Sequence, residues 1–186
     1  YLIPIVKEVM EICKDLYIFS SPWSPPSWMK TGGEMCGGEM RAKYLPAFAD
    51  YYVKYLQAYS EAGVPIDALT IQNEPETDQS GKMPQSRLHP DFELELAGYL
   101  LPERLRTAGL NTKIWIHDHN YDGWKRVNYI LSDEKVRENI DAVAWHPYGG
   151  TPEMMQAVRA KYPELKVDFH LTEKGPNLNE NSIESN

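Results

Sequence analysis

The sequence predicts an α/β fold built on a parallel sheet, and three observations predict it. Apolar residues recur at helical spacing and then give way to a short apolar run, and this handover occurs five times along 186 residues. Consecutive runs are separated by a helix, the crossover that parallel pairing requires. The five runs also end alike, in SSPWSPPSW, QNEPE, HDHN, WHPY and LTEKG, where apolar character yields to polar, charged and aromatic residues. Parallel strands bring such ends together, on one face of a barrel or in the crevice of a doubly wound sheet. Either arrangement draws Trp23, Glu74, Asp118, His146 and Glu173 towards one another.

In chain order, Val6, Val9, Met10, Cys13 and Leu16 mark the first helix, followed by the strand LYIFSS. Phe48, Tyr51, Tyr52, Tyr55, Leu56 and Tyr59 form the apolar face of a second, closed by Gly63 and followed by IDALTIQ. A third runs around Phe92, Leu96, Tyr99, Leu100 and Leu105 to Gly109 and hands over to KIWIHDHN. Trp124 to Asn139 is mostly helical and precedes DAVAWHPY. Thr151 and Pro152 suit the cap and first position of a last helix, bearing Met154, Met155, Val158 and Tyr162, before KVDFHLTE. No linker or charge block divides the chain, so residues 1–186 read as one domain. TGGEMCGGEM and the 77–90 stretch read as long loops, the kind that form functional rims.

Composition narrows the partners. With 42% apolar residues the chain can bury a core, and a net charge of −8 argues against nucleic acid or an anionic membrane surface. No apolar run approaches the ~18 residues of a membrane span. Cys13 and Cys36 make neither a disulfide framework nor a zinc motif. His117, Asp118 and His119 could suggest a metal site, but adjacent strand residues point alternately to opposite faces and cannot all converge. There is no phosphate-binding glycine loop or serine-hydrolase elbow.

Two glutamates at strand ends, Glu74 and Glu173, carry the chemistry. Glycoside hydrolysis uses two carboxyls, one protonated to donate to the leaving oxygen and one ionised to attack the sugar or activate water. Trp23 and Trp28, in a proline-rich loop, could present flat rings to a sugar, whereas Trp115 and Trp145 lie within strands and suit the core. Trp124 fits either role.

SPWSPPSWMKTGG, the helix and strand YYVKYLQAYSEAGVPIDALTIQNEPE, then IHDHN, VAWHPY and LTEKG resemble, in this order, glycoside hydrolase family 30, the glucosylceramidase-like retaining glycosidases. The resemblance implies a (β/α)8 barrel, no cofactor and no metal. It implies that Glu74 is the acid/base and Glu173 the nucleophile. It further implies that Asn73 bonds the sugar 2-hydroxyl, and that Trp23, Asp118, Trp124, His146 and Tyr148 line the substrate site. Tyr148 could donate to Glu173 and hold it ionised. An acid needs its pKa raised while sugar is bound, which burial beneath aromatic rings and a neighbouring negative Glu173 should both do for Glu74. The chain departs from many members at Pro147, where they carry Trp.

A full barrel takes about 250 residues. Counting LYIFSS as barrel strand three, this chain reaches strand seven, with strands one, two and eight absent, so it is expected to be a fragment of a longer enzyme. The activity implied is that of a retaining β-glycosidase, foremost a glucosylceramidase-like β-glucosidase on a glycoside, oligosaccharide or glycolipid, secreted or periplasmic. The alternatives are a family 5-like endo-β-glycanase and an inactive carbohydrate-binding barrel fragment.

Overall fold

A computed structural model describes residues 2–78 and 81–173; Lys174 and Gly175 of LTEKG lie outside the described residues. Five strands form one parallel sheet in the order β1 (Phe19–Ser20), β2 (Ala68–Thr70), β3 (Lys113–Asn120), β4 (Ala142–His146) and β5 (Asp168–Leu171). Spatial order equals chain order, so there is no point at which the sheet reverses, as a doubly wound sheet would require. The architecture is an arc of a (β/α)8 barrel, as the sequence leads one to expect.

Helices α1 (Leu2–Ile12) and α2 (Leu45–Glu61) precede β1 and β2. The third predicted helix is α3 (Pro90–Glu95), a π turn over Leu96–Leu100, and α4 (Leu101–Thr107). Gly98 in that turn lets the neighbouring helix approach, since a Cβ there would sit 3.0 Å from Val136 Cγ2. The fourth differs from expectation, breaking into α5 (Trp124–Ile130) and α6 (Glu134–Asn139). Asp133 restarts the chain by capping Val136 N–H at 3.1 Å. The last, α7 (Pro152–Lys161), begins at the predicted proline, but the Thr151 side chain makes no capping bond. Among the described residues no helix is long and apolar enough to cross a membrane.

Strand pleating divides the core in two. Leu69, Ile114, Ile116, Val143 and Trp145 face the helices and join the main core with Phe48, Leu56, Leu101 and Val127. Ala68, Trp115, Ala142 and Ala144 form a small cluster on the other, luminal face. Trp115 dominates it, with Tyr17, Phe19 and His170 stacked at ring separations of 6.0, 5.3 and 4.6 Å. Small alanines on the flanking strands leave room for that one large ring.

The two long loops are tied together rather than loose. Lys30 is buried, and its ammonium donates to the carbonyls of Met35, Gly37 and Gln85 at 2.6, 2.7 and 2.8 Å. Isolated bridges pair Lys30 with Met40 and Glu39 with Arg87. The glycine-rich EMCGGEM segment thus wraps a buried cation, a role its sequence does not announce.

Candidate active site

The end of β2 builds one wall of the site. Past Thr70 the chain leaves the ladder, and the Glu74 N–H reaches across to the Asp118 carbonyl at 3.0 Å. This contact accompanies a left-handed backbone at Glu74, φ 43°. Pro75 then turns the chain away, with Thr77 N–H closing a turn on the Glu74 carbonyl at 3.0 Å. Asn73 is buried, its N–H bonded to the Pro22 carbonyl at 2.9 Å, and the Gln72 amide donates to the Trp23 carbonyl at 2.8 Å. The SPW loop is thereby fastened to the QNE segment, while the Trp23 ring stays exposed.

At the end of β3 the ladder breaks. His117 pairs with Ala144 and His119 with Trp145, leaving Asp118 as an extra residue, and His117 and Asp118 both take positive φ, 77° and 49°. The three residues do not all converge, as expected, but the bulge lets two neighbours share one face. Asp118 and His119 both face the site, whereas His117 turns away, its N–H on Glu93 at 2.6 Å and its ring against Trp145. Burial pushes the His117 pKa down to about 3, so that ring is neutral.

His146, at the end of β4, is the hub. Its buried imidazole lies 3.0 Å from Asp118 Oδ1 through Nε2, and through Nδ1 it lies 3.3 Å from Glu74 Oε1 and 3.7 Å from Glu173 Oε2. The two glutamate oxygens are therefore no more than 7.0 Å apart, the sum of their distances to Nδ1. Burial opposes charge on His146, but hydrogen bonds to Asp118 and Glu74 and the nearby carboxylates outweigh it and raise its pKa to about 9. Tyr148 donates to Glu173 Oε2 at 2.9 Å.

The raised pKa expected of Glu74 belongs to the sugar-bound site; without sugar the balance runs the other way. The hydrogen bond to His146 is the largest influence and outweighs burial, so its pKa is lowered. An imidazolium between two glutamates is what the sequence reading left out. Asp118 is a buried, satisfied carboxylate and does not present a free oxygen pair to substrate. Thr70 and Thr172 donate to it at 2.7 and 2.8 Å, the Ser21 hydroxyl adds another bond, and His146 a fourth. Burial raises its pKa, yet these bonds carry the balance downwards. Its place is beneath the site, holding His146.

Residues 1–184 match the Glycosyl hydrolase family 30 TIM-barrel domain. The chain belongs to glycoside hydrolase family 30. An endo-1,6-beta-D-glucanase of Neurospora crassa is 39% identical over 151 residues, covering 79% of this chain and 31% of that protein. Putative glucosylceramidase 4 of Caenorhabditis elegans is 34% identical over 161 residues, covering 80% of this chain and 31% of that protein. A solved endo-beta1,6-glucanase structure superimposes with a TM-score of 0.83 at 28% identity, covering 91% of this chain and 40% of that one. The chain spans about a third of the length of these curated relatives.

In this family 30 chain, then, the ends of β2 to β5 bring Glu74, Asp118, His146, Tyr148 and Glu173 into one bonded cluster, with Asn73 beside it and Trp23 exposed on the tethered loop after β1. Trp124 is set apart: it opens α5 half-buried, its ring packed against the main core. Sequence reasoning weighed His119 only beside His117 and Asp118 as a metal ligand and missed its place in this cluster; its Nε2 lies 3.4 Å from the Thr77 hydroxyl. It also passed over Ser21 and Thr70 as partners of Asp118, although each stands at a strand end. Among the described residues, Glu74, His119 and His146 offer ligand atoms that all lie within 4.8 Å of one another, a set able to hold a metal ion.

Proposed function

We propose that the chain carries the reacting centre of a retaining β-glycosidase, with Glu173 as nucleophile and Glu74 as acid/base. The observation that carries this reading is the shared contact of both glutamates with His146 Nδ1. That contact puts one oxygen of each carboxylate within 7.0 Å of the other, a proximity that the about 5 to 5.5 Å of retaining sites is consistent with.

In the first step Glu173 attacks the anomeric carbon while Glu74 protonates the leaving oxygen; in the second, Glu74 takes a proton from water, which releases the sugar. Glu74 must first gain a proton. A sugar that displaces water and separates Glu74 from His146 weakens the bond that lowers its pKa and leaves burial, which raises it. Glycosylation of Glu173 then removes a negative neighbour and favours the base form of Glu74. Tyr148 fixes the attacking oxygen, and Asn73 can strengthen a bond to the 2-hydroxyl as charge develops.

For substrate, β-1,6-linked glucan is favoured, since the Neurospora crassa relative of that activity shares 39% identity. A glucosyl lipid is the second reading, supported by a relative named as a putative glucosylceramidase at 34%. Incubation with a 2-deoxy-2-fluoro β-glucoside should label Glu173, detected by peptide mass. Labelling elsewhere, or turnover undiminished in Glu173→Gln, would overturn the assignment. Comparing release of sugar from linear β-1,6-glucan and from glucosylceramide separates the two substrates.

A further inference from the structure

The imidazoles of His119 and His146 face Glu74 from two different strands, and their surroundings suit metal coordination. A zinc ion with ligands at about 2.0 to 2.1 Å in tetrahedral geometry holds them roughly 3.3 Å apart. That is the separation of His146 Nδ1 from Glu74 Oε1, 3.3 Å. The ring nitrogen of His119 completes a group whose ligand atoms all lie within 4.8 Å of one another, so only a small side-chain adjustment closes the triad.

Groups that orient the histidine ring are in place as well. Zinc-binding histidines commonly give their other N–H to a carboxylate, which orients the ring. Asp118 Oδ1 holds His146 Nε2 at 3.0 Å, and Thr172 fixes that same carboxylate oxygen at 2.8 Å. His146 is therefore aimed with Nδ1 towards Glu74. His119 has only weak engagements of its own: Nε2 is 3.4 Å from the Thr77 hydroxyl, and Nδ1 is buried without a hydrogen-bond partner among the described residues. Two histidines and one glutamate are a ligand set zinc uses with a fourth position left open.

We propose that Glu74, His119 and His146 form a reversible binding site for a zinc-class divalent cation, and that metal and glycoside occupy this centre in turn. Coordination uses the Nδ1 lone pair of His146, whose proton leaves to solvent, and a lone pair of Glu74. The ion is thus a brake on the site rather than a participant in bond cleavage. That the brake acts on hydrolysis rests on the reading of Glu74 as acid/base; the binding itself does not.

The two parts are tested separately. Zinc titrated calorimetrically into the full chain without sugar should bind at one equivalent. His119→Ala and Glu74→Gln should each weaken binding by at least about tenfold. His170→Ala, which alters the ring stacked on Trp115, should leave it unchanged. Cobalt(II) bound to the unaltered chain should give the visible bands of a four-coordinate site, a readout that needs no variant to fold. Absence of saturable binding, a six-coordinate cobalt spectrum, or affinity that survives both substitutions overturns the site. If zinc binds the triad but leaves hydrolysis of a β-glucoside untouched, the site stands and the role given to Glu74 falls.

Discussion

Replacing His146 with Gln should change how stability depends on pH more than it changes stability itself. In the folded chain the imidazole binds its proton with a pKa of about 9, against 6.5 for an ordinary histidine. Each tenfold difference in proton affinity is worth ~1.4 kcal/mol, so this gap corresponds to about 3 kcal/mol. The ring is fully buried, so solvent does little to screen that value. Because the folded pKa is the higher one, the contribution is complete below pH 6.5. It falls as pH rises and is gone above about 9. Urea denaturation followed by tryptophan fluorescence at pH 6, 7, 8 and 9 should show the unaltered chain losing about 3 kcal/mol more across this window than His146→Gln. Parallel curves for the two proteins would refute the claim that an imidazolium joins the carboxylates. A histidine Cε1 proton resonance titrating near 9, missing from the variant, would measure the same property directly.

Other outcomes follow from particular contacts. Glu74→Ala should lower turnover by about 10²–10⁴-fold, with partial recovery in azide, which needs no proton to enter; steady-state rates on an activated β-glucoside decide it. Tyr148→Phe removes the 2.9 Å bond to Glu173 from a half-exposed position and should lower kcat by about tenfold while leaving the thermal midpoint unchanged. Trp115→Ala empties the luminal cluster and should cost about 3–5 kcal/mol in chemical denaturation, since small alanines around it cannot close the gap. Lys30→Met leaves three carbonyls without their ammonium and should destabilise by several kcal/mol, with earlier proteolytic cleavage between residues 31 and 40; an unchanged digestion pattern would contradict it.

The helices and strands were legible because their signals are local. KIWIHDHN coincides with β3 from Lys113 to Asn120, and Gly63 takes the positive φ expected after α2. Glu74 and Glu173 stood out through their joint placement at strand ends within QNEPE and LTEKG, since a single glutamate near a loop start is commonly just solvated. The break between α5 and α6 was not legible, since Leu131 to Asp133 interrupt the helix without proline or glycine. Nor was the linkage of Asp118 to Ser21, Thr70 and Thr172, which depends on register among four separate strand ends. The sugar-free charge state of Glu74 was not legible for a related reason. Like-charge repulsion from Glu173 can be argued from strand order, but the aim of the His146 ring is set by Asp118, and Asp118 is placed by a bulge.

That bulge has a meaning for how the protein tolerates change. His117 and Asp118 are in a backbone region that non-glycine residues seldom occupy, as is Glu74 across from them, and such residues cost of order 1–3 kcal/mol each. Deleting one residue at position 118 would let β3 run as a regular ladder beside β4 and relieve the strain. It would also exchange inward and outward side chains beyond that point and dismantle the carboxylate–imidazole cluster. A variant selected only for heat resistance would therefore be drawn towards a better sheet and a silent catalyst. In this stretch of chain, ideal geometry and chemistry ask for different sequences.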